Sequence, residues 1–454
     1  MNTVGNFEIN YQQTPKENIV KAFCEDYKFK FTDLWWEIGA DHLCLSVKHS
    51  RKQQLQKEKE LEKFIKAMGA KMRKAPDKAF ERALWMKNLK DSTRSFGKNT
   101  LGFTEAFLDI LFMEGFTQST NEFVREAKEF DSEFKLEDTF QAIRNVWIMN
   151  SIQVFLNKKV AFSPSIFAYS MLYPYTDNYL DDPKISKEEK MMINERFKRR
   201  LSGEGIEPSN SYEMALFMLV QRIEDQYPRE GFSEIYQSLL GIHNAQEQSL
   251  LQQDESPFPY EKDIVGISFE KGGMSVLADA YLVNGKLTEQ EAQFMFGFGV
   301  VLQLADDLQD VITDVNNRHM TIFSQIATKW KLDNLTDKLF NFIDEVIAGD
   351  ETFDSPQLNE LKGLIQYNCH FLMFQAIAKN KKFYTRAYLK KIEVFSPFRF
   401  STMRGLYKKL EKEYYGLNKK KDRFSIGDAF IETNVMDGLH FDIGNIQSTR
   451  VKAN

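Results

Sequence analysis

The stretch GFGVVLQLADDLQDVITDVNNRHMT, residues 297–321, decides how this chain is read. On an α-helix Asp306, Asp310 and Asp314 stack at i, i+4 and i+8, with Asp307 beside Asp310 at i, i+3, so all four carboxylates share roughly one side. Like charges at this spacing repel by about 0.2–0.5 kcal/mol per pair even in solvent. An ordinary exposed face would interleave Lys or Arg, yet none occurs from Phe294 to Asn317. Phe294, Phe296, Phe298, Val300, Val301, Leu302 and Leu304 precede the acids and set them at the end of a strongly apolar helix. A divalent cation removes the repulsion, and Mg²⁺ binds one or two carboxylates while leaving positions for water and phosphate. The alternative is an acidic helix end without a ligand.

A second cluster lies about 125 residues upstream, in AYSMLYPYTDNYLDDPKIS (168–186). Asp177 and Asp181 stand at i, i+4 with Asp182 adjacent, again after an apolar and aromatic run, and Pro174 either kinks or starts that helix. Two such clusters facing one another across a helical bundle would form a divalent-metal clamp at the mouth of an apolar chamber.

The rest of the chain is compatible with such a bundle. Eleven prolines and 23 glycines among 454 residues fall below the usual shares of roughly 5% and 7%, and no period-two pattern persists long enough to build a sheet. An all-α fold is expected. The 39 phenylalanines can fill a large core or line a cavity. Ser209-Asn210-Ser211 offers a cap for the apolar helix YEMALFMLVQRI. We expect an N-terminal helical extension over 1–100, a helical domain over 101–418 and a tail or lid over 419–454.

A net charge of −5 argues against nucleic acid as a partner. The basic run 48–78 is either a solvated helix face or a surface for peripheral membrane contact or an acidic partner. Cys24, Cys44 and Cys369 are too few and too scattered for a disulfide framework, and there is neither a signal-like N-terminus nor an apolar run of 18 residues. A cytoplasmic protein is expected.

In these features the chain resembles the class I isoprenoid synthases, which include trans-prenyltransferases, squalene and phytoene synthases and terpene cyclases. Asp306-Asp307-Leu308-Gln309-Asp310 has the family's DDxxD form, and Gln303 stands where trans-prenyltransferases carry the first Gln of an FQxQDD signature, with Ala305 departing from the second. Asp177-Asn178-Tyr179-Leu180-Asp181 looks like the other aspartate-rich motif with Asn in its second acidic place. HNAQEQSL (243–250) is similar to a GQxxDL helix through Gln246, with Ser249 replacing the acid. DIVGISFEKGGMSVLADAYL (263–282) is similar to the helix that carries a diphosphate-binding lysine, here Lys271. NNRHMT occupies the place of a GK-containing loop, with Arg318 and His319 as its basic groups, and the similarity extends over about 140–325.

The resemblance implies a large helical bundle, an allylic prenyl diphosphate as substrate, three Mg²⁺ ions between the carboxylate clusters, and a homodimer as one form of assembly. Asp177, Asp181, Asp306, Asp307 and Asp310 would hold metal, while Lys271, Gln246, Gln303, Arg318 and His319 would meet the substrate. Arg222 is a further candidate for the diphosphate, or else a salt-bridge partner of Glu224, Asp225 or an acid on another helix. Elongating members usually follow the first motif with an arginine pair; here the nearest, Arg199-Arg200, comes some fifteen residues late. A one-substrate cyclase is thereby favoured over an elongating or head-to-head condensing enzyme. The reading from another class is a catalytically silent helical protein that binds lipid or a partner.

Overall fold

A computed structural model describes residues 19–414 apart from 44, 77, 135, 182–183 and 254–260, with side chains left aside at 79, 114, 136–137, 181, 407–408 and 410–414. The tail expected over 419–454 lies outside the described residues. Within them the chain is an all-α bundle.

The first third contributes α1 (Ile19–Glu37), α2 (Arg51–Met72), α3 (Ala79–Phe96), α4 (Glu105–Leu111), α5 (Glu114–Phe130) and α6 (Leu136–Phe155). The middle holds α7 (Pro164–Asp181), α8 (Lys187–Leu201), α9 (Ser211–Gln226), α10 (Ser233–Ser249), α11 (Ile264–Asn284) and α12 (Glu289–Gln309). The remainder forms α13 (Val311–Asn317), α14 (Ile322–Ala327), α15 (Asp333–Ile347), α16 (Pro356–Lys379), α17 (Arg386–Glu393) and α18 (Phe400–Tyr414). No helix among the described residues is long and apolar enough to cross a membrane.

The antiparallel pair α11 and α12 forms the centre. Both are apolar around most of their circumference, which suits helices enclosed on all sides. Gly285 ends α11 at φ 80°, a left-handed conformation that a side chain would strain, and Thr288 opens α12 in a capping box with Glu291. Where the pair crosses, a Cβ on Gly272 would lie 2.5 Å from the Gly299 carbonyl oxygen. Glycine at both positions lets the two backbones touch.

Other helices surround this pair. α1 lays Tyr27 and Phe31 against Phe296 and Trp35 against Phe269 and Phe342, so the N-terminal region shares the central core. α2 is tied to the last helices by Glu58, which accepts from the Arg399 amide (2.9 Å) and guanidinium. Asn210 caps α9 by accepting from the Glu213 amide, as its position in the sequence suggested. Pro174 lies inside α7, which begins ten residues earlier at Pro164.

Candidate functional site

A cavity of about 300 Å³ opens between α6, α11, α12 and α16, closed below by Ile110, Leu111 and Phe116 from α4 and α5. One face of α12 runs its whole depth. Phe298, Leu302 and Asp306 follow at i, i+4, i+8, so aromatic floor gives way to exposed carboxylate over about 12 Å of helix. The opposite wall, α6, repeats the gradient, with Ile148 and Trp147 deeper and Gln141, Arg144 and Asn145 nearer the acids. Gly272 and Gly299 also line it.

The two acidic clusters meet at this mouth. Gln141 Nε2 donates to Asp177 Oδ2 (3.3 Å), and Gln141 and Asp306 both line the cavity. Between them stands Tyr173. Burial pushes its phenol above the usual range, followed by the charges of Asp177 and then Asp306, against which Arg144 and a hydrogen bond with Gln141 act. One hydroxyl therefore senses a carboxylate from each motif.

Along the second cluster the carboxylates differ. Asp307 is buried, and burial raises its pKa to about 6 despite hydrogen bonds from Gln303 (2.8 Å) and Ser268 and the charge of Lys271. Its Oδ2 is buried without a partner. Asp310 lies 3.8 Å from Lys379 Nζ. The expected uninterrupted helix through Asp314 is corrected here: α12 ends at Gln309, and Asp314 belongs to the separate α13. Asn380 caps the break, its Nδ2 donating to the carbonyls of Leu308 (3.1 Å) and Gln309 (3.3 Å) that a continuing helix would use itself. Asp314 stays within reach of the others, and burial followed by the charges of Asp307, Asp310 and Asp306 raises it to about 8.

Lys271 on α11 faces this cluster closely enough to act on both Asp307 and His319. His319 does not supply the cationic group expected of it. Burial, then Lys271, lowers its pKa to about 4, which leaves a neutral imidazole 3.5 Å from Gln252 Oε1. Arg318, exposed, occupies the left-handed cap of α13 at φ 58°. Gln246 is half-buried on α10 and does not line the cavity. Arg222 is also placed elsewhere: it pairs with Glu126 and stacks 4.4 Å from the Phe167 ring, so the ion-pair alternative describes it. The Asp181 side chain lies outside the described residues. Arg199 and Arg200 are engaged by Glu204 (2.8 Å) and Glu224 (2.5 Å).

The chain matches no family model, no curated protein and no solved structure. What the site can do follows from its own residues. Among the described residues no three His, Cys, Asp or Glu side chains converge into a ready-made cage for a metal. Mg²⁺ does not need one, because it keeps several waters and takes one or two carboxylates together with substrate phosphate. The orphaned Asp307 Oδ2 and the mutual repulsion that raises Asp314 are what a cation would relieve. The residues present fit such an ion.

Sequence reasoning missed Gln141, Arg144, Tyr173 and Gln252. The first two, with Asn145, form a polar i, i+3, i+4 group between the apolar positions of α6, a signal that was available. Gln252 was not legible in this way. It pins the loop after α13 by donating to the Met320 carbonyl and Ser268 Oγ (both 3.1 Å), contacts made only in the fold.

Proposed function

We propose that this chain is a Mg²⁺-dependent class I isoprenoid synthase that ionises an allylic prenyl diphosphate. The carrying observation is the convergence of Asp177 and Asp306 on Tyr173 at the mouth of an aromatic-walled cavity. The diphosphate lies at the rim and the prenyl chain extends toward Phe298.

Asp177, Asp306, Asp307 and Asp310 would hold Mg²⁺, which would supply Lewis acidity toward the diphosphate leaving group. Lys271, placed across from Asp307, meets phosphate charge that the carboxylates alone would repel, and Arg144 and Arg318 are further cations for the same group. Gln303 holds Asp307 through its 2.8 Å bond and fixes the carboxylate's orientation. Phe140, Trp147 and Phe298 exclude water from the allylic cation and offer it ring faces, worth about 0.5–2 kcal/mol each.

A single-substrate conversion such as cyclisation is favoured because Arg199 and Arg200 are already bound to glutamates and do not furnish a second diphosphate site. Purified protein given geranyl, farnesyl or geranylgeranyl diphosphate with Mg²⁺ releases pyrophosphate without isopentenyl diphosphate. A strict requirement for isopentenyl diphosphate assigns elongation instead, and coupling of two allylic substrates assigns condensation. If no diphosphate turns over while prenyl alcohols still raise the melting temperature, the chain is the silent lipid-binding protein.

A further inference from the structure

The segment after α14 and the turn after α16 lie side by side. The Leu332 amide donates to the Phe383 carbonyl (2.9 Å), and Lys331 Nζ donates to the Lys382 carbonyl (2.8 Å). On this joined edge Trp330 is 63% exposed, unusual for so large an apolar ring. Around it stand Lys329, Lys331, Lys381 and Lys382, all exposed. None of the four makes an ion pair among the described residues; Lys329 and Lys382 lie instead over the rings of Trp330 and Phe383, at 5.9 and 4.8 Å. Residues 328–332 and 379–383 contain no Asp or Glu at all, in a chain of net charge −5.

We propose that this Trp330-centred lysine edge docks on an anionic lipid bilayer. An indole prefers the headgroup level of a membrane, where its apolar body and N–H are both accommodated. Lysines beside it lay their methylenes along that boundary while the ammonium groups reach lipid phosphates and carboxylates. A nucleic-acid surface would call for a longer basic stripe, which the chain's acidic balance does not favour. The edge also adjoins the cavity mouth. Asn380, in the same turn, binds the end of α12 through the Leu308 carbonyl (3.1 Å), and Lys379 lies 3.8 Å from Asp310. Docking would hold the mouth at the interface where an amphiphile with a polar head and an apolar chain resides. That consequence rests on the proposed function; the docking itself does not.

Sedimentation of the full chain with vesicles tests it, using phosphatidylcholine alone and phosphatidylcholine mixed with phosphatidylserine. The expected result is binding to the mixed vesicles that weakens with salt, with negligible binding to phosphatidylcholine alone. Each lysine removed from an anionic surface should lower affinity about fivefold, so the variant carrying Gln at 329, 331, 381 and 382 loses on the order of several-hundredfold. Trp330→Ala weakens binding through the other half of the edge. All five side chains are exposed, and an unchanged circular dichroism spectrum and melting temperature confirm the fold of each variant. Lys159→Gln/Lys286→Gln, two exposed lysines away from this edge and from the basic run 48–78, serves as the charge control and binds as the wild type does. Absence of binding to phosphatidylserine vesicles overturns the proposal, as does binding that survives the fourfold variant. Capture of an RNA oligonucleotide in place of vesicles, lost in that variant, assigns the edge to nucleic acid and likewise overturns it. None of these readings depends on turnover of a prenyl diphosphate.

Discussion

Gln303 donates to Asp307 Oδ1 at 2.8 Å one turn away on α12, while the other oxygen of that buried carboxylate has no partner. A half-satisfied carboxyl in an interior is costly unless something completes it. In the proposed function a metal ion reaching this carboxylate beside the cavity-lining Asp306 would complete it.

Mg²⁺ with pyrophosphate should therefore raise the melting temperature of the wild-type chain. At about a hundred times its Kd a ligand confined to the native state contributes about 2.7 kcal/mol. Asp306→Asn should abolish this shift while leaving the ligand-free melting temperature within about a degree, since Asp306 is exposed. A shift of undiminished size in the variant would refute the metal assignment.

Mg²⁺ affinity should rise with pH. Burial raises Asp307 to about 6 and Asp314 to about 8, so at lower pH a proton on Asp307 competes with the cation directly and one on Asp314 removes a negative charge beside it. Calorimetric titration between pH 5.5 and 8.5 should show tighter binding toward the alkaline end, accompanied by proton release. Affinity that is flat across this range would mean that neither group is linked to the ion.

Asp279→Asn should stabilise the fold at neutral pH. Asp279 is fully buried on α11, where burial raises its pKa well above 3.8 against a 3.0 Å hydrogen bond from Asn145. Above that unfolded-state value the unfolded chain gives up the proton and the folded chain keeps it, so stability falls as pH rises toward the folded-state pKa. Asparagine preserves an acceptor for Asn145 without that loss. Melting temperatures of the two proteins should converge below about pH 4 and separate above it, with the variant higher.

Gly272→Ala should cost about 1–3 kcal/mol, the usual penalty of forcing atoms into a packed core. Its new methyl would meet both the Gly299 carbonyl and the Gln303 Cβ at 2.5 Å, one backbone and one stiff side-chain root. Denaturant titration reads this as a lower midpoint at constant slope. A midpoint equal to the wild type would show that the helices can separate cheaply.

The all-α fold was legible because breakers are scarce and helical periodicity is not. The acidic end of α12 was legible because an unrelieved row of aspartates after phenylalanines is a local pattern. What escaped was set by distant residues. Asn380 caps the end of α12 from 72 residues away along the chain, and no local signal at Asp310 announces it. Arg222 finds Glu126 across 96 residues, although its own segment supplies two nearer acids. Gln141 and Arg144 escaped because α6 is buried on several sides, and only the cavity distinguishes the side that faces it.

The glycine crossing of α11 and α12 has a mechanical meaning for the charges it carries. With main chain resting on main chain, the backbone separation between Lys271 and the aspartates is set by the crossing itself and not by the packing of intervening side chains. An occupant seated between Lys271 and these acids therefore meets a main-chain separation laid down in advance, and only side-chain rotation adjusts the fit.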